Sequence, residues 1–532
     1  MKKQTFLKGS LLLTVSALLA KILGAFFKLP LTAVLGGTGM GYFSCAYGLF
    51  LPLYAVFVTG LSTAVAKMVA SYAGMNNMNS ARYVRSIARK LFFSVGIIVT
   101  IFACIGAKVF TIHTTGNMEA YPAVLVMTPA ILFCCLTAVE RGYYEGLCCM
   151  TPTAVSQAVE ALTKLIFGLL GCYWFQQIQF MGMNPESAGA CGAVAGVTLS
   201  TLAGYLCMFA FHEKQQTISG TLPTFGEVVR ELLKIMIPVS LGALVTNLTS
   251  LIDLFTVMRQ FTRQLEENPI AFYQGANLSR EIPLENASAF VYGSFMGLSV
   301  TVFNLVPSLT NMLAKGVLPC TAQAWASGDK RQATDYARQV LLLTGLVAIP
   351  SGCGIFALSK GTLEFLFAGQ IAEIETSWKS LQYLAIGIIF LCMTFPVFSL
   401  LQAVGKADIP VKVMLFGVAV KFVGNLVLIP HFYTAGAGMS TSICYLVILI
   451  LAVYHLRKTL GEPLHLIGAM TAQCYGGIMC GVSAWLCYGK IVMMLPQRIA
   501  FIGAVFVGAI VYVVCLFLTQ GKQVIQFLSR SI

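Results

Sequence analysis

Four lysines lie inside apolar segments that are long enough to cross a bilayer: Lys21, Lys28, Lys164 and Lys421. A charge near the bilayer centre costs roughly 2.5–3.5 kcal/mol on insertion scales, so such residues usually face a protein interior or a watery cavity. Lys21 and Lys28 are two helical turns apart on one predicted helix, which places them on nearly the same face. A stripe of embedded cations predicts an anionic ligand.

The elements that must position these lysines are membrane-spanning helices. Hydrophobic residues make up 58% of the 532 residues, charged residues only 10%, and the mean hydropathy of +0.82 excludes an ordinary soluble domain. A span needs ~20 apolar residues, and the sequence predicts an all-α polytopic membrane protein with fourteen transmembrane helices. The segments are 10–35, 43–70, 91–111, 120–140, 154–175, 190–211, 235–258, 287–314, 340–358, 380–402, 411–430, 435–455, 468–489 and 499–519.

An internal repeat divides these helices into two halves. The unit holds six helices, an even number, so the two six-helix halves enter the membrane from the same side. Such parallel repeats are related by a pseudo-two-fold axis along the membrane normal, and cargo binds between them. The predicted lobes are 1–214 and 215–459, with two further helices in 460–532. Three collinear pairs carry the repeat: LSTAVAK at 61–67 with LTNMLAK at 309–315, the loop from Pro152 to Lys164 with that from Pro410 to Lys421, and LSTLAGYL at 199–206 with MSTSICYL at 439–446.

The net charge of +14 is explained by membrane topology. Of the 34 Lys and Arg residues, a cytoplasmic N-terminus would place 22 on the inner side and 8 on the outer side, with the four embedded lysines making up the rest. This asymmetry follows the positive-inside rule and predicts that both termini are cytoplasmic. We therefore expect the lipid bilayer as a partner and no nucleic acid.

The first predicted helix and its exit carry a recognisable pattern. Residues 20–43 read AKILGAFFKLPLTAVLGGTGMGYF, in which Pro30 could kink the helix and glycines make a tight exit. A cation followed by Ile-Leu-Gly, a second cation within two turns and a Gly-Met-Gly exit resemble the multidrug/oligosaccharidyl-lipid/polysaccharide exporter superfamily. LIDLFTVMRQF at 251–261 is similar to its polysaccharide-transporter branch, which contains stage V sporulation protein B-like proteins and lipid II flippases. Arg259-Gln260 stands where that branch often has two cations.

The resemblance implies a flippase or exporter that moves polyprenyl-diphosphate-linked sugars, such as lipid II or a polysaccharide repeat unit, across the bacterial cytoplasmic membrane by alternating access. It places Lys21 and Lys28 on a cationic cavity wall. Alternatively, Lys28 snorkels to an interface and Lys21 bonds to neighbouring carbonyls. The oligomeric state is left open and is compatible with a monomer.

Lys164 and Lys421 occupy equivalent positions of the repeat, in predicted helices 5 and 11. A diphosphate carries about two negative charges, so two to four lysines could bind it. Glu160 lies one turn before Lys164 and could instead neutralise it, whereas Gly417 stands at the matching position before Lys421.

Asp253 in predicted helix 7 is an embedded acid. It could pair with a cavity lysine, or it could bind a coupling cation together with Asn247, Asn425 and Thr441, since carboxylate, amide and hydroxyl oxygens suit hard cations. No resident cofactor is expected, and coupling to sodium ions or protons is the energy source considered. A structural ion pair is the alternative for Asp253.

Other functional classes fit the sequence less well. A multidrug or cation antiporter of the same superfamily would want cavity acids, but the embedded charges are mainly lysines. A non-transporting scaffold for cell-wall assembly remains an alternative. No enzyme is predicted, because the five histidines show no HExxH or triad spacing and no large outer loop carries catalytic acids. The seventeen cysteines contain no CxxC pair and predict no metal site or disulfide.

Overall fold

A computed structural model describes residues 6–75, 77–115, 118–211, 222–461, 464 and 467–531. Within these ranges the chain forms helices joined by short connections, and no β-strand occurs there. Ten of the described helices are long and apolar enough to cross a membrane, or eleven when the bent pair Phe225–Val245 and Asn247–Glu267 counts as one span. The all-α, multi-pass prediction is confirmed at this level.

Within the described residues, the first half of the chain forms eight helices. They are α1 (Phe6–Tyr54), α2 (Gly60–Gly74), α3 (Met78–Thr115), α4 (Tyr121–Met127), α5 (Pro129–Gly146), α6 (Thr151–Gln177), α7 (Pro185–Phe209) and α8 (Phe225–Glu267). A π-helical segment, Ala55–Thr59, joins α1 to α2, and a short 3₁₀ turn, Phe180–Gly182, lies between α6 and α7.

The part of the second half that the structure describes forms nine further helices. A second π-helical segment, Phe295–Ser299, joins α10 to α11. The helices are α9 (Pro269–Gly275), α10 (Leu284–Ser294), α11 (Val300–Ala326), α12 (Lys330–Ala357), α13 (Ser359–Leu366), α14 (Ile371–Ala403), α15 (Asp408–Leu460), α16 (Ile467–Ile491) and α17 (Gln497–Ser531).

Packing divides the chain into two compact units. The first runs to Thr262 and includes Ser288–Gly293, and the second holds Arg263–Ala287 and continues from Ser294. The boundary predicted between residues 214 and 215 lies outside the described residues, and the predicted lobes stay a prediction.

The long helix α1 contains the predicted segment 10–35 and the beginning of the segment 43–70. Its only non-helical backbone is at Gly36 (φ 63°, ψ −174°), and helix continues from there to Tyr54. The glycine-rich exit predicted over 36–41 is therefore a single break rather than a loop. Backbone groups at membrane depth must be hydrogen-bonded within the protein, so the helix resumes at once. The left-handed φ explains why glycine stands at this position.

Small residues bring α6 and α7 into close contact in the first unit. A Cβ at Gly192 of α7 would collide with the backbone of Gly171 on α6, and one at Gly196 would collide with Gly168. Small residues spaced four apart allow two membrane helices to approach closely. This contact fixes the face of α6 that carries Lys164.

Candidate functional site

Lys164 lies in the middle of α6, beside aromatic rings from α1. Its ammonium nitrogen is 5.1 Å from the ring centroid of Phe27 and 5.1 Å from that of Tyr47. Gly168 follows one turn later on the same face, and a Cβ there would collide with the Phe27 ring. Aromatic faces attract cations within about 6 Å. Two rings of α1 therefore stabilise the charge of Lys164.

Lys28 joins this group from α1. It follows Phe27 directly, it is partly buried, and its charge interacts with that of Lys164. The hydroxyl of Thr32 donates to the Lys28 carbonyl oxygen at 2.8 Å, one turn further along the helix. The structure therefore brings together two predicted site residues, and their like charges would be stabilised by a bound anion.

Tyr47 adds an unused hydrogen-bonding group to the same place. Its ring lies 4.8 Å from that of Phe43, and its phenol oxygen is buried with no hydrogen-bond partner among the described residues. Buried polar groups are nearly always bonded, so an exception calls for an explanation. We name the group of Lys28, Lys164, Phe27 and Tyr47 the lysine–aromatic site.

Lys21 does not share this environment. It lies two turns before Lys28 on α1, and its side chain is exposed, whereas that of Lys28 is partly buried. Helical geometry sets the predicted common face of these two lysines, and it is Lys28, next to Phe27, whose charge interacts with that of Lys164.

Glu160 binds an arginine rather than serving chiefly as the counter-ion of Lys164. Arg141 on α5 donates from Nη2 to Glu160 Oε2 at 2.8 Å and to the Ser156 hydroxyl at 2.8 Å. Ser156 in turn donates to the Gly204 carbonyl oxygen of α7 at 3.0 Å. Arg141, which the positive-inside count assigns to the inner side, is a partly buried link between α5, α6 and α7.

A second ion-pair cluster was missed by the sequence interpretation. Glu140 on α5 is buried, and its carboxylate accepts hydrogen bonds from Arg85 and Arg89 of α3, each through Nε at 2.8 Å. The Arg85 guanidinium also lies 4.4 Å from the ring centroid of Tyr143. Two features of the sequence could have indicated this cluster: an acid at the end of an apolar segment, and two arginines spaced one helical turn apart.

Lys421 lies in the second unit, on α15, and is much more enclosed than Lys164. It is 3% exposed, and Asn425, one turn later, is fully buried. The Ser440 hydroxyl donates to the Lys421 carbonyl oxygen at 3.0 Å, and Cys444 donates from Sγ to the carbonyl oxygen of Gly417 at 3.2 Å. The two halves of α15, separated by a break at Tyr433, pack against each other along this face.

The candidate ion-binding residues fall in two places. Asp253 and Asn247 lie on α8 in the first unit, where Asp253 is 7% exposed and the Asn247 amide donates to the Ala243 carbonyl oxygen at 2.9 Å. Thr441 lies on α15 in the second unit near Asn425, and its hydroxyl donates to the Ala437 carbonyl oxygen at 2.9 Å. Among the described residues, no group of three His, Cys, Asp or Glu side chains could hold a metal ion.

Comparisons with known proteins give two family matches. The family profile described as Polysaccharide biosynthesis protein matches residues 6–294, and that described as Lipid II flippase MurJ matches residues 287–496. Lipid II flippase MurJ of Bacillus subtilis (strain 168) is 21% identical over 469 residues, which cover 86% of this chain and 83% of that protein. Stage V sporulation protein B of the same organism is 22% identical over 436 residues, covering 79% and 77%.

A solved structure shares the fold. The structure described as lipid II flippase MurJ in an inward closed conformation superimposes with a TM-score of 0.70 at 14% identity, covering 96% of this chain and 98% of that one. At this identity the likeness shows the fold alone.

Proposed function

Because this chain belongs to the polysaccharide biosynthesis protein family, within the multidrug/oligosaccharidyl-lipid/polysaccharide exporter superfamily, we propose that it flips polyprenyl-diphosphate-linked sugars across the bacterial cytoplasmic membrane by alternating access. Its family and fold are those of transporters. The observation that carries the proposal is the lysine–aromatic site, in which two lysines and an unpartnered phenol hydroxyl meet on α1 and α6.

The chemistry of this site suits a diphosphate. Two ammonium groups supply the charge that balances a dianion, and the Tyr47 hydroxyl supplies a directional hydrogen bond. The aromatic rings hold Lys164 in place without neutralising it, because a quadrupole stabilises a cation while leaving its net charge available. Lys21, exposed two turns away, extends the same cationic wall toward the end of α1, and we retain it and Lys421 as further cargo-binding lysines.

The polyprenyl tail requires an apolar path. An apolar groove of about 480 Å³ opens between α12, α14 and α16 in the second unit. Helix α16, which lines this groove, lies after the predicted repeat. The groove therefore supports a role for that helix, since a lipid chain could lie there while the head group is carried inside the protein. The groove is lined by residues that include Phe356, Ile386, Ile389, Ile478, Val482 and Trp485.

The ion pairs argue against the antiporter alternative. A pump for cationic drugs needs carboxylates that are available to the cargo, but Glu140 is bound by two arginines and Glu160 by Arg141. Removing one partner of a buried pair would leave an uncompensated charge. These acids therefore support the structure of the first unit rather than cation binding.

For energy coupling we propose that sodium ions or protons act at Asp253 with Asn247, and we retain Asn425 and Thr441 as a second candidate. The enclosed Lys421 lies one turn from Asn425 on the same helix, and an ammonium group so close would lower cation affinity there. Asp253 on α8 is thus the stronger candidate. Sodium-dependent transport that is lost in Asp253→Asn but kept in Thr441→Val would support this order.

We also propose fourteen spans, two six-helix halves related by a pseudo-two-fold axis, and cytoplasmic termini. The breaks in α1 and α15 support this count, because α15 covers two predicted segments and α1 covers the first segment and the beginning of the second. The two π-helical segments support the repeat, since Ala55–Thr59 and Phe295–Ser299 belong to the predicted segments 43–70 and 287–314, which the repeat pairs.

The direct test is a flipping assay in proteoliposomes with a fluorescent polyprenyl-diphosphate disaccharide. We expect Lys28→Ala combined with Lys164→Ala to abolish flipping, and Lys21→Ala combined with Lys28→Ala to reduce it strongly. Lys67→Ala, which removes an exposed lysine from α2, is the matched control and should flip at the normal rate.

Protein yield and thermal unfolding in detergent should be unchanged in the lysine variants, so that lost flipping reports lost binding. Normal flipping by the Lys28 and Lys164 double variant would refute the proposed site. Drug export that persists in that variant, together with no flipping by the unmodified protein, would favour the antiporter.

A further inference from the structure

The break in α15 leaves an unusual backbone conformation at an aromatic residue. Tyr433 has φ 50° and ψ −127°, three residues after Pro430. Bulky side chains rarely adopt positive φ, and such conformations cluster at functional sites where the surrounding structure holds them in place. Asn277, across from Tyr433, also has a positive φ of 52°.

The short helix α9 holds the Tyr433 side chain. The Tyr433 hydroxyl donates to the Ala271 carbonyl oxygen at 3.2 Å, and its ring centroid is 5.8 Å from that of the buried Phe272. A Cβ at Gly275 would collide with the Tyr433 ring. The Tyr433 ring therefore fills the space that a side chain at Gly275 would take. The positive φ at Tyr433 directs the ring toward α9.

Beside this contact is a cavity of about 400 Å³ that lies wholly within the second unit. Its walls come from the end of α9, from the first turns of α14 and from the break in α15. Pockets for small molecules fall in the range of about 300–1,000 Å³, so this cavity has room for one or two sugar rings.

The walls of the cavity are fixed by hydrogen bonds. The Thr434 hydroxyl donates to the Thr376 carbonyl oxygen at 2.8 Å, and the Ser442 hydroxyl donates to that of Tyr383 at 2.7 Å. A Cβ at Gly438 would collide with the backbone at Ser380. Since α14 and α15 are joined this closely, the cavity exists before a ligand arrives.

The chemistry of the lining is mixed aromatic and polar. Trp378 and Tyr383 offer ring surfaces, Gln382 and Asn277 offer amides, and Lys379 lies with its ammonium 5.7 Å from the Trp378 ring centroid. No carboxylate is among the lining residues. Rings suit the C–H face of a pyranose, and amides suit its hydroxyl edge. The lysine and the lack of acids disfavour a cationic ligand.

From this geometry we propose that the cavity at Tyr433 is a saccharide site that takes a neutral or acidic sugar unit. The inference deepens the proposed function and rests on it for its biological meaning: the site would hold the sugar head group on the side of the membrane where α9 lies. With a cytoplasmic N-terminus, the connections that follow the predicted segments 235–258 and 340–358 lie on the outer side. These connections contain α9 and Lys379, and a flipped head group would emerge on that side.

Trp378 provides a direct probe. The chain has four tryptophans, and replacing Trp174, Trp325 and Trp485 by Phe leaves Trp378 alone. We expect the fluorescence of this purified variant in nanodiscs to change saturably with N,N′-diacetylchitobiose and with glucuronic acid, with Kd in the millimolar range typical of weak sites. Glucosamine, a cationic sugar, should bind at least tenfold more weakly.

Substitution at the lining supplies the control. Gln382→Ala should weaken binding of the neutral disaccharide about tenfold, as expected for lost hydrogen bonds in a ligand site. Gln402→Ala, at an exposed position near the other end of α14, should not. The proposal would be overturned if neither sugar changed the Trp378 fluorescence saturably. It would also be overturned if the fluorescence changed only when the nanodiscs contain phosphatidylglycerol, or if all three sugars bound equally well.

The two proposals can fail separately. Sugar binding that depends on Gln382, together with normal flipping by the Lys28 and Lys164 double variant, would keep the saccharide site and refute the lysine–aromatic site as the cargo site. Flipping that depends on the two lysines, with no sugar bound at Trp378, would do the reverse.

Discussion

Lys164 in the first unit and Lys421 in the second occupy matching positions of the predicted repeat, yet their surroundings differ. Lys164 is partly buried, lies 5.1 Å from two ring centroids and interacts with a second lysine. Lys421 is 3% exposed, on a face of α15 that packs against the other half of the same helix. Matching positions of the predicted repeat thus hold a partly buried charge beside two rings in one case and an enclosed charge in the other.

The difference arises from the helices that reach each lysine. In the first unit, α1 supplies Phe27, Lys28 and Tyr47, and Gly168 leaves room for the Phe27 ring. In the second unit, the neighbour of Lys421 is the second half of α15, which approaches through Ser440 and Cys444. The two helices that the predicted repeat pairs therefore differ in chemistry because different partners pack against them.

The comparison is tested most strongly by replacing each lysine with methionine, which keeps the length of the side chain and removes its charge. Lys164→Met should lower the flipping rate about 100-fold, since loss of a charged hydrogen bond to a diphosphate costs up to about 3 kcal/mol. Lys421→Met should change the rate less than threefold, because its enclosed side chain makes only a small contribution to cargo binding. The measurement is initial flipping rate in proteoliposomes at equal protein density.

Equal loss in both lysine variants would show that the two positions act together on the cargo, as the repeat alone predicts. Thermal unfolding of both variants separates this outcome from a folding defect.

A second test asks whether Glu160 serves Arg141 or Lys164. Glu160→Gln should destabilise the protein by about 1.5–3 kcal/mol, the usual contribution of a hydrogen bond to a charged group, because it weakens the link from Arg141 to α6. The flipping rate per folded molecule should stay within a factor of two. SDS-induced unfolding measures the first quantity. A rise in flipping without loss of stability would instead mean that Glu160 normally neutralises Lys164.

A third test alters the space beneath Lys164. Gly168→Ala should destabilise the first unit by about 1–3 kcal/mol, the usual cost of overpacking, and should displace the Phe27 ring. Gly106→Ala is the matched control, because nothing lies within 4 Å of a Cβ at that glycine. We expect the control to be neutral or slightly stabilising in the same thermal unfolding assay.

The smallest effect is expected at Tyr47. Tyr47→Phe keeps the ring beside Lys164 and removes only the hydroxyl, so stability should be unchanged or slightly higher, because the hydroxyl has no partner among the described residues. Affinity for the cargo should fall by a factor of about three to ten, the value of one hydrogen bond of about 1 kcal/mol. The anisotropy of the fluorescent lipid measures this affinity. An unchanged affinity in Tyr47→Phe would contradict the proposed role of the hydroxyl.

Much of the fold could be predicted from the sequence, because apolar length decides where a helix can cross a membrane. The all-α class is confirmed, and the predicted segments 10–35 and 43–70 lie in α1, the π-helical segment Ala55–Thr59 and α2. The sequence could not show that α1 resumes directly after Gly36. Glycine clusters favour loops in water, whereas the membrane-embedded backbone must remain hydrogen-bonded.

The candidate site was only partly predictable. Embedded lysines are conspicuous because their cost is high, so Lys28 and Lys164 could be singled out from the sequence. Their aromatic neighbours could not, since Phe27 and Tyr47 are two of 56 Phe and Tyr residues in an apolar chain. The same holds for Glu140, whose partners Arg85 and Arg89 lie on a different helix.

By itself, the sequence determined that this is a multi-pass helical protein with costly cations at membrane depth, because hydrophobicity and charge act through local composition. Only the tertiary structure decided which of those cations interact. It placed the ring of Phe27 beside the Lys164 ammonium, allowed the charge of Lys28 to interact with that of Lys164, and enclosed Lys421 within α15. Charges interact through distance and burial, and those are set by helices that are remote in the chain and close in space.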